Sequence, residues 1–465
     1  MAAATFDVVD PATEEVVASV DDATPADARA AVDRAAAAFP GWSATPPRER
    51  AEVLRRAYEL LVARADDVAA TIVGENGKPV AEAKGEVTYA AEFFRWFSEE
   101  AVRMAGSVVD APGGGGKLLT LQQPVGVSLL ITPWNFPAAM LTRKIGPALA
   151  AGCTVVAKPA ELTPLTAILI GDVLRAAGAP DGVVEIVATT DAAGVVEAIL
   201  DDARVRKLSF TGSTEVGRLL LAQAAKRIVN CSMELGGNAP FLVFADADLD
   251  AAVEGAMVAK MRNGGEACTA ANRFYVERPV AEEFGRRLAE KMKALRMGPG
   301  LDDGVQLGPL VNTDAVEKVD ELVRGAVDAG AEAVVGGRRP SDEKYSAGFY
   351  YEPTVLLDVQ PGSKILEEEI FGPVAPVVTF DEEDEAVRLA NATEYGLVSY
   401  VYTGDLARGL RVSEGLDSGM VGLNRGLVSD PAAPFGGTKQ SGIGREGGHD
   451  GMLDYLESKY IAVQW

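Results

Sequence analysis

The 465-residue chain carries 68 acidic and 44 basic side chains. Its net charge of −24 argues against nucleic acid and anionic membranes, which call for a basic face. With 48% hydrophobic and 24% charged residues it reads as globular, long enough for roughly two to four domains, and its one histidine, His449, excludes two-histidine metal sites and leaves proton chemistry to carboxylates or lysines.

Residues 1–105 are helix-dominated, with periodic apolar patterns over Ala28–Phe39, Arg48–Ala65 and Glu82–Ala105. Pro112–Gly116 is a flexible turn, and Lys117–Val127 reads as an exposed hairpin or arm. Strands are then predicted at Val127–Ile131, Thr154–Ala157, Val183–Val187, Lys207–Thr211 and Ile228–Ser232. Between them lie helices at Ala138–Ala150, Leu165–Ala177, Ala192–Leu200 and Thr214–Ala225, an alternation that implies a parallel sheet covered on both faces. The apolar stretch Ala138–Ala157 holds Arg143, Lys144 and Pro147, so it is no membrane span.

A second α/β series begins near Pro240. Its strands are Pro240–Phe244, Arg273–Val276, Ala333–Val335, Val374–Phe380, Val398–Tyr402 and Met420–Leu423. Its helices are Leu249–Met261, Val280–Leu295 and Asp314–Ala329. Two such units imply two domains with a ligand cleft between them. The C-terminal Tyr460–Trp465 is apolar and β-prone, and such a strand needs a partner, a second subunit being one candidate.

Several motifs carry chemistry of unequal weight. Gly442-Ile-Gly444-Arg-Glu-Gly447 matches the dinucleotide glycine pattern but follows no strand, so it is rejected. Gly113–Gly116 before Lys117 lacks the spacing of a phosphate loop. Phe210–Gly217 follows a strand and opens a helix, which suits a pyrophosphate, or equally a turn N-capped by Ser213 or Thr214. Of three cysteines, Cys153 and Cys231 sit in apolar stretches, while Cys268 follows the glycine-rich Asn263–Ala267. An odd count without a CxxC pair or an apolar leader fits a reducing cytoplasm. Glu234 closes an apolar strand, as a general base or as an exposed strand-end carboxylate.

Seven segments together resemble the aldehyde dehydrogenase superfamily over nearly the whole chain. They are Pro133-Trp134-Asn135-Phe136-Pro137, Lys158-Pro159-Ala160-Glu161, Phe210–Gly217, Glu234-Leu235-Gly236-Gly237, Gly265-Glu266-Ala267-Cys268, Glu369-Ile370-Phe371-Gly372-Pro373 and Pro434-Phe435-Gly436-Gly437. The resemblance implies that Cys268 attacks an aldehyde, that Asn135 and the Cys268 N–H hold the oxyanion, and that Glu234 activates water. It implies a nicotinamide cofactor held by Thr132, Pro133, Trp134, Lys158, Glu161, Gly212, Ser213, Gly217, Leu235, Glu369 and Phe371, with no metal. A thiol and a carboxylate base need no histidine, in keeping with the composition.

Within the superfamily the resemblance narrows to the succinate-semialdehyde dehydrogenase group. Arg143, Arg262 and Ser429 match the residues that hold the far carboxylate of a semialdehyde, which suits the arginine fork. Both arginines could equally be helix-surface residues with salt-bridge partners. Glutarate semialdehyde or another small aldehyde is the alternative substrate, and a non-catalytic relative the alternative class. Glu161 would repel a 2′-phosphate, so NAD is expected over NADP. Ala270 stands where some members carry a second cysteine, so disulfide inactivation is not expected. Glu266 replaces the usual glutamine and sets a possible anion near the thiol, while Arg425 adds a cation at the substrate mouth.

The implied fold is α/β, a Rossmann-like cofactor domain at 1–105 and 128–236 with an α/β catalytic domain at 237–440. An oligomerisation arm at 106–127 and 441–465 would join dimers or tetramers in the cytoplasm.

Overall fold

The computed structural model describes residues 4–464, so Trp465 and residues 1–3 of the first predicted segment lie outside the described residues. An antiparallel hairpin, Thr5–Val9 with Val16–Asp21, precedes the helices. It breaks the expected helical monotony of this region. Helices follow at Pro25–Ala44, Pro47–Ala63, Ala65–Asn76 and Val80–Glu100. The first starts sharply because Thr24 and Asp27 form a reciprocal capping box and Pro25 takes the first turn.

Two sheets form the body of the molecule. The first has six strands in the order Gly442–Ile443, Asn230–Glu234, Val205–Thr211, Val127–Ile131, Thr154–Lys158 and Val184–Ile186. All neighbours are parallel except the Gly442–Ile443 edge. Val127–Ile131 and Thr154–Lys158 are buried at every position, as expected of strands covered on both faces.

The second sheet has seven strands. Its order is Glu332–Val335, Thr354–Leu357, Val374–Phe380, Ala271–Glu277, Ala239–Val243, Val398–Tyr402 and Met420–Leu423. Only Glu332–Val335 runs antiparallel to its neighbour. The chain passes from one sheet to the other across Leu235–Asn238, so Glu234 ends the last parallel strand of the first sheet.

A third, three-stranded sheet stands apart, with Lys117–Pro124 between Ser107–Asp110 and Leu456–Val463. The C-terminal strand therefore finds its partner within its own chain, Tyr460 lying opposite Thr120. The expected arm at 441–465 is too long. Gly442–Ile443 joins the first sheet, and Met452 and Tyr455 pack into the core beside Val125 and Cys153. Their apolar side chains fill that core, leaving only the last strand to the arm. Among the described residues no helix is long and apolar enough to cross a membrane.

Candidate active site

In the first sheet, the chain runs outward from Val127–Ile131 through Thr154–Lys158 to Val184–Ile186, then returns to the other side of Val127–Ile131 with Val205–Thr211. Strand order reverses there, and ligands of open α/β sheets bind outside the carboxyl ends at such a point. Two cavities open at that place, of about 810 and 370 Å³. Both are lined by Pro133, Trp134, Thr211 and Gly212, so they are neighbours across one wall.

The larger cavity is lined by Thr132, Lys158 and Glu161 and closed by apolar side chains of the Thr214–Ala225 helix, among them Val216 and Leu220. Lys158 is buried, and its ammonium meets Glu161 at 3.1 Å. The buried Thr211 hydroxyl in the cavity wall has no hydrogen-bond partner among the described residues. A helix N-terminus, a buried cation and an orphaned hydroxyl around apolar walls fit a dinucleotide.

The glycine motif contributes unevenly. Ser213 caps the helix, accepting from the Val216 N–H at 3.3 Å, and Gly212 donates its N–H to the Glu234 carbonyl. Gly217 lines neither cavity. A Cβ there would come within 2.5 Å of Leu235, so its role is close packing, which corrects its expected place among cofactor contacts.

Cys268 lies in the smaller cavity with Asn135, Glu234, Leu235, Glu369 and Phe371. The loop before it is tightly wound, with Asn263, Gly264 and Gly265 at φ of 52°, 61° and 81°. Gly265 is required there, because a Cβ would stand 2.2 Å from the Gly372 carbonyl oxygen. Burial, then the charge of Glu234, push the half-buried Cys268 thiol well above its usual range, against Arg143.

Asn135 is fixed from three sides. Its Nδ2 donates to the Glu266 carbonyl at 2.9 Å, and its own carbonyl accepts from Lys78 and Asn263 at 2.8 and 3.0 Å. Lys78 is itself paired with Glu86 at 2.5 Å inside the protein. Glu369 accepts from the Gly237 N–H at 3.2 Å and is pushed up to about 7 by burial. Trp134 and Phe371 meet edge-on at 5.5 Å beside it.

Glu234 is a buried strand-end carboxylate, and both its oxygens lack a hydrogen-bond partner among the described residues. Burial pushes it up to about 8 against the pull of Arg143. Arg143 Nη2 stands 3.7 Å away, while Arg143 Nε lies 2.5 Å from Glu446 Oε2. Lys144 closes the cluster through Glu446 and the Ser209 hydroxyl. Arg143 is thus buried and ion-paired, which corrects its reading as a helix-surface residue. Glu446 was missed because it sits inside the rejected Gly442–Gly447 pattern. That segment pairs Gly442 with Glu234, so it does reach the site, though as a charge partner.

Arg262 stacks over the Phe136 ring at 4.8 Å and makes no ion pair among the described residues. Burial raises the phenol of Tyr89, a residue the sequence did not flag, against the opposing influence of Arg143, Arg262 and Ser429. Glu266 turns from the thiol and accepts from the Val311 N–H at 3.1 Å. Arg425 is exposed, and His449 pairs with Glu100 at 2.7 Å away from the site. Among the described residues no cluster of three or more His, Cys, Asp or Glu could hold a metal.

The aldehyde dehydrogenase family profile matches residues 1–461. The chain is 55% identical over 448 residues to a succinate-semialdehyde dehydrogenase of Paenarthrobacter nicotinovorans, covering 96% of this chain and 99% of that protein. It is 48% identical over 459 residues to a glutarate-semialdehyde dehydrogenase of Pseudomonas putida, covering 99% and 94%. A solved NADP-dependent enzyme of E. coli superposes with a TM-score of 0.97 at 47% identity, covering 99% and 95%.

Proposed function

The chain belongs to the aldehyde dehydrogenase family, and on that premise we propose that it oxidises succinate semialdehyde to succinate, using NAD in preference to NADP. The observation that carries the substrate is Arg262, which makes no ion pair among the described residues and whose charge acts on the Cys268 thiol, since a neutral aldehyde has no use for such a cation. Glutarate semialdehyde, one methylene longer, is the second reading, favoured by the Pseudomonas putida relative.

Glu234 takes the proton of the Cys268 thiol, and the thiolate adds to the aldehyde carbon to form a thiohemiacetal. The charge that develops on oxygen is met by Asn135 Nδ2 and by the Cys268 N–H, and such a donor contributes about 3–4 kcal/mol. NAD, held by Lys158 in the larger cavity and by Glu369 in the smaller one, would supply the hydride acceptor. The acyl group then stays on sulfur as a thioester. Glu234, having released its first proton to solvent, removes one from water. The hydroxide adds to the acyl carbon, and collapse releases the acid and the thiolate.

Glu161 supports NAD, since its carboxylate stands beside Lys158 where a 2′-phosphate would be repelled. The half-exposed Val108, Val109 and Tyr460 of the third sheet suit a homo-oligomer. Three unpaired cysteines suit a reducing cytoplasm.

The test is a panel of succinate semialdehyde, glutarate semialdehyde and butanal with NAD and with NADP. Succinate semialdehyde is expected to exceed butanal by about a hundredfold in kcat/KM. Parity between the two overturns the acidic-aldehyde reading.

A further inference from the structure

Tyr89 lies on the Val80–Glu100 helix, three and seven residues after Glu86 and Glu82 and so on one helical face with them. Glu86 accepts from the first N–H groups of the Pro137–Ala151 helix, and Glu82 from the Asn263 N–H at 2.7 Å. That face therefore looks onto the loops carrying Asn135 and Cys268. The Tyr89 ring packs edge-on against Phe93 at 4.8 Å. Its hydroxyl is shielded from water yet has no hydrogen-bond partner among the described residues.

The groups around that hydroxyl are Arg143, Arg262 and Ser429. Two of them can only donate, and the hydroxyls of Tyr89 and Ser429 can donate as well. Both hydroxyls can also accept, but no carboxylate is among these groups, and Arg262 has no anionic partner among the described residues. Arg143 is already neutralised by Glu446, so an arriving carboxylate would find Arg262 as its uncompensated cation. Burial pushes the Tyr89 phenol above its usual range, which keeps it a donor.

We propose that the Tyr89 hydroxyl donates a hydrogen bond to the far carboxylate of the substrate and so discriminates acidic from neutral aldehydes. The proposal rests on the acidic-aldehyde reading above. A site built to hydrogen-bond a charged group rejects analogues that lack it far better than a methylene-sized pocket could.

Tyr89→Phe keeps the ring against Phe93 and removes only the donor. It is expected to lower kcat/KM for succinate semialdehyde at least about tenfold more than for butanal, with the loss in KM rather than kcat. The inhibition constant of succinate should weaken in step. Equal losses on both aldehydes, or no loss, overturn the proposal. If the unaltered enzyme shows no preference for succinate semialdehyde, the acidic-aldehyde reading falls first, so the two failures are distinguishable.

Discussion

Arg143 Nε lies 2.5 Å from Glu446 Oε2, in an ion pair almost wholly withdrawn from water. The guanidinium also faces Glu234 at 3.7 Å and lies over the Phe435 ring at 4.1 Å. Burial opposes its charge, but Glu446, Tyr89, Glu234 and Cys268 together hold it fully protonated. Glu446 is conversely held ionised, its burial overcome by Arg143 and Lys144. The pair therefore supplies a fixed cation beside the Glu234 carboxylate without exposing that charge to solvent. Under the proposed function the two arginines would have different jobs: Arg143 would position the base, and Arg262 would be left to meet substrate.

Replacing each arginine separates those jobs. Arg143→Gln leaves Glu446 and Glu234 short of a partner, and breaking a buried pair costs about 3–5 kcal/mol. It should lower the melting temperature and reduce turnover of acidic and neutral aldehydes alike. Arg262→Gln should hurt succinate semialdehyde far more than butanal, by about 2 kcal/mol in transition-state binding. Thermal melts and kcat/KM for both aldehydes check this. A selective loss at Arg143 with an unchanged melt would make it the substrate anchor after all.

Glu234 acts as a base only when ionised, and burial places its titration at about 8. Below that pH the protonated form dominates, so kcat should fall about tenfold per unit as the pH is lowered. Glu234→Gln should cost about 10²–10⁴ in kcat and abolish that acidic limb. A limb that persists in the variant assigns the titration to another group.

Residues that announce themselves by local pattern were legible. Val374–Phe380 and Val398–Tyr402 are strands at the predicted bounds, because continuous β-branched and aromatic runs suit a sheet buried on both sides, and the half-buried edge strand Met420–Leu423 matches its predicted bounds as well. Thr354–Leu357 escaped notice: at four residues it is too short to show a period. The helices Glu383–Asn391 and Leu406–Gly415 escaped because their buried positions are few and small. Cys268, Glu234, Asn135 and Lys158, singled out by their motifs, line the two adjoining cavities. Tyr89 and Glu446 were not singled out, because each acts through partners far off in sequence. Glu446 meets Arg143 across 303 positions of chain, a contact no local spacing encodes.

Glu161 meets Lys158 at 3.1 Å with its side chain 47% exposed, so the carboxylate borders the cavity. Glu161→Ser removes the group that would oppose a 2′-phosphate and frees Lys158 to attract one. The ratio of kcat/KM for NAD over NADP should fall about tenfold. Steady-state kinetics with both cofactors check this. An unchanged ratio would mean that the preference is set elsewhere in the cavity.

Glu266 is buried, with its carboxyl pushed up to about 8, and its one marked hydrogen bond comes from the Val311 N–H. The folded protein keeps this group protonated where an unfolded chain has already ionised it. Wild-type stability from this residue is therefore lost as the pH climbs from about 4.5 to about 8. Glu266→Gln keeps an acceptor for Val311 and cannot ionise, so it escapes the loss. The variant's advantage in unfolding free energy should widen across that window by up to about 4 kcal/mol and then level off. Chemical denaturation at about pH 5, 6.5 and 8 measures it. A gap that stays constant with pH would mean that Glu266 is ionised in the fold, and the Cys268 thiol would then have an anion close behind it.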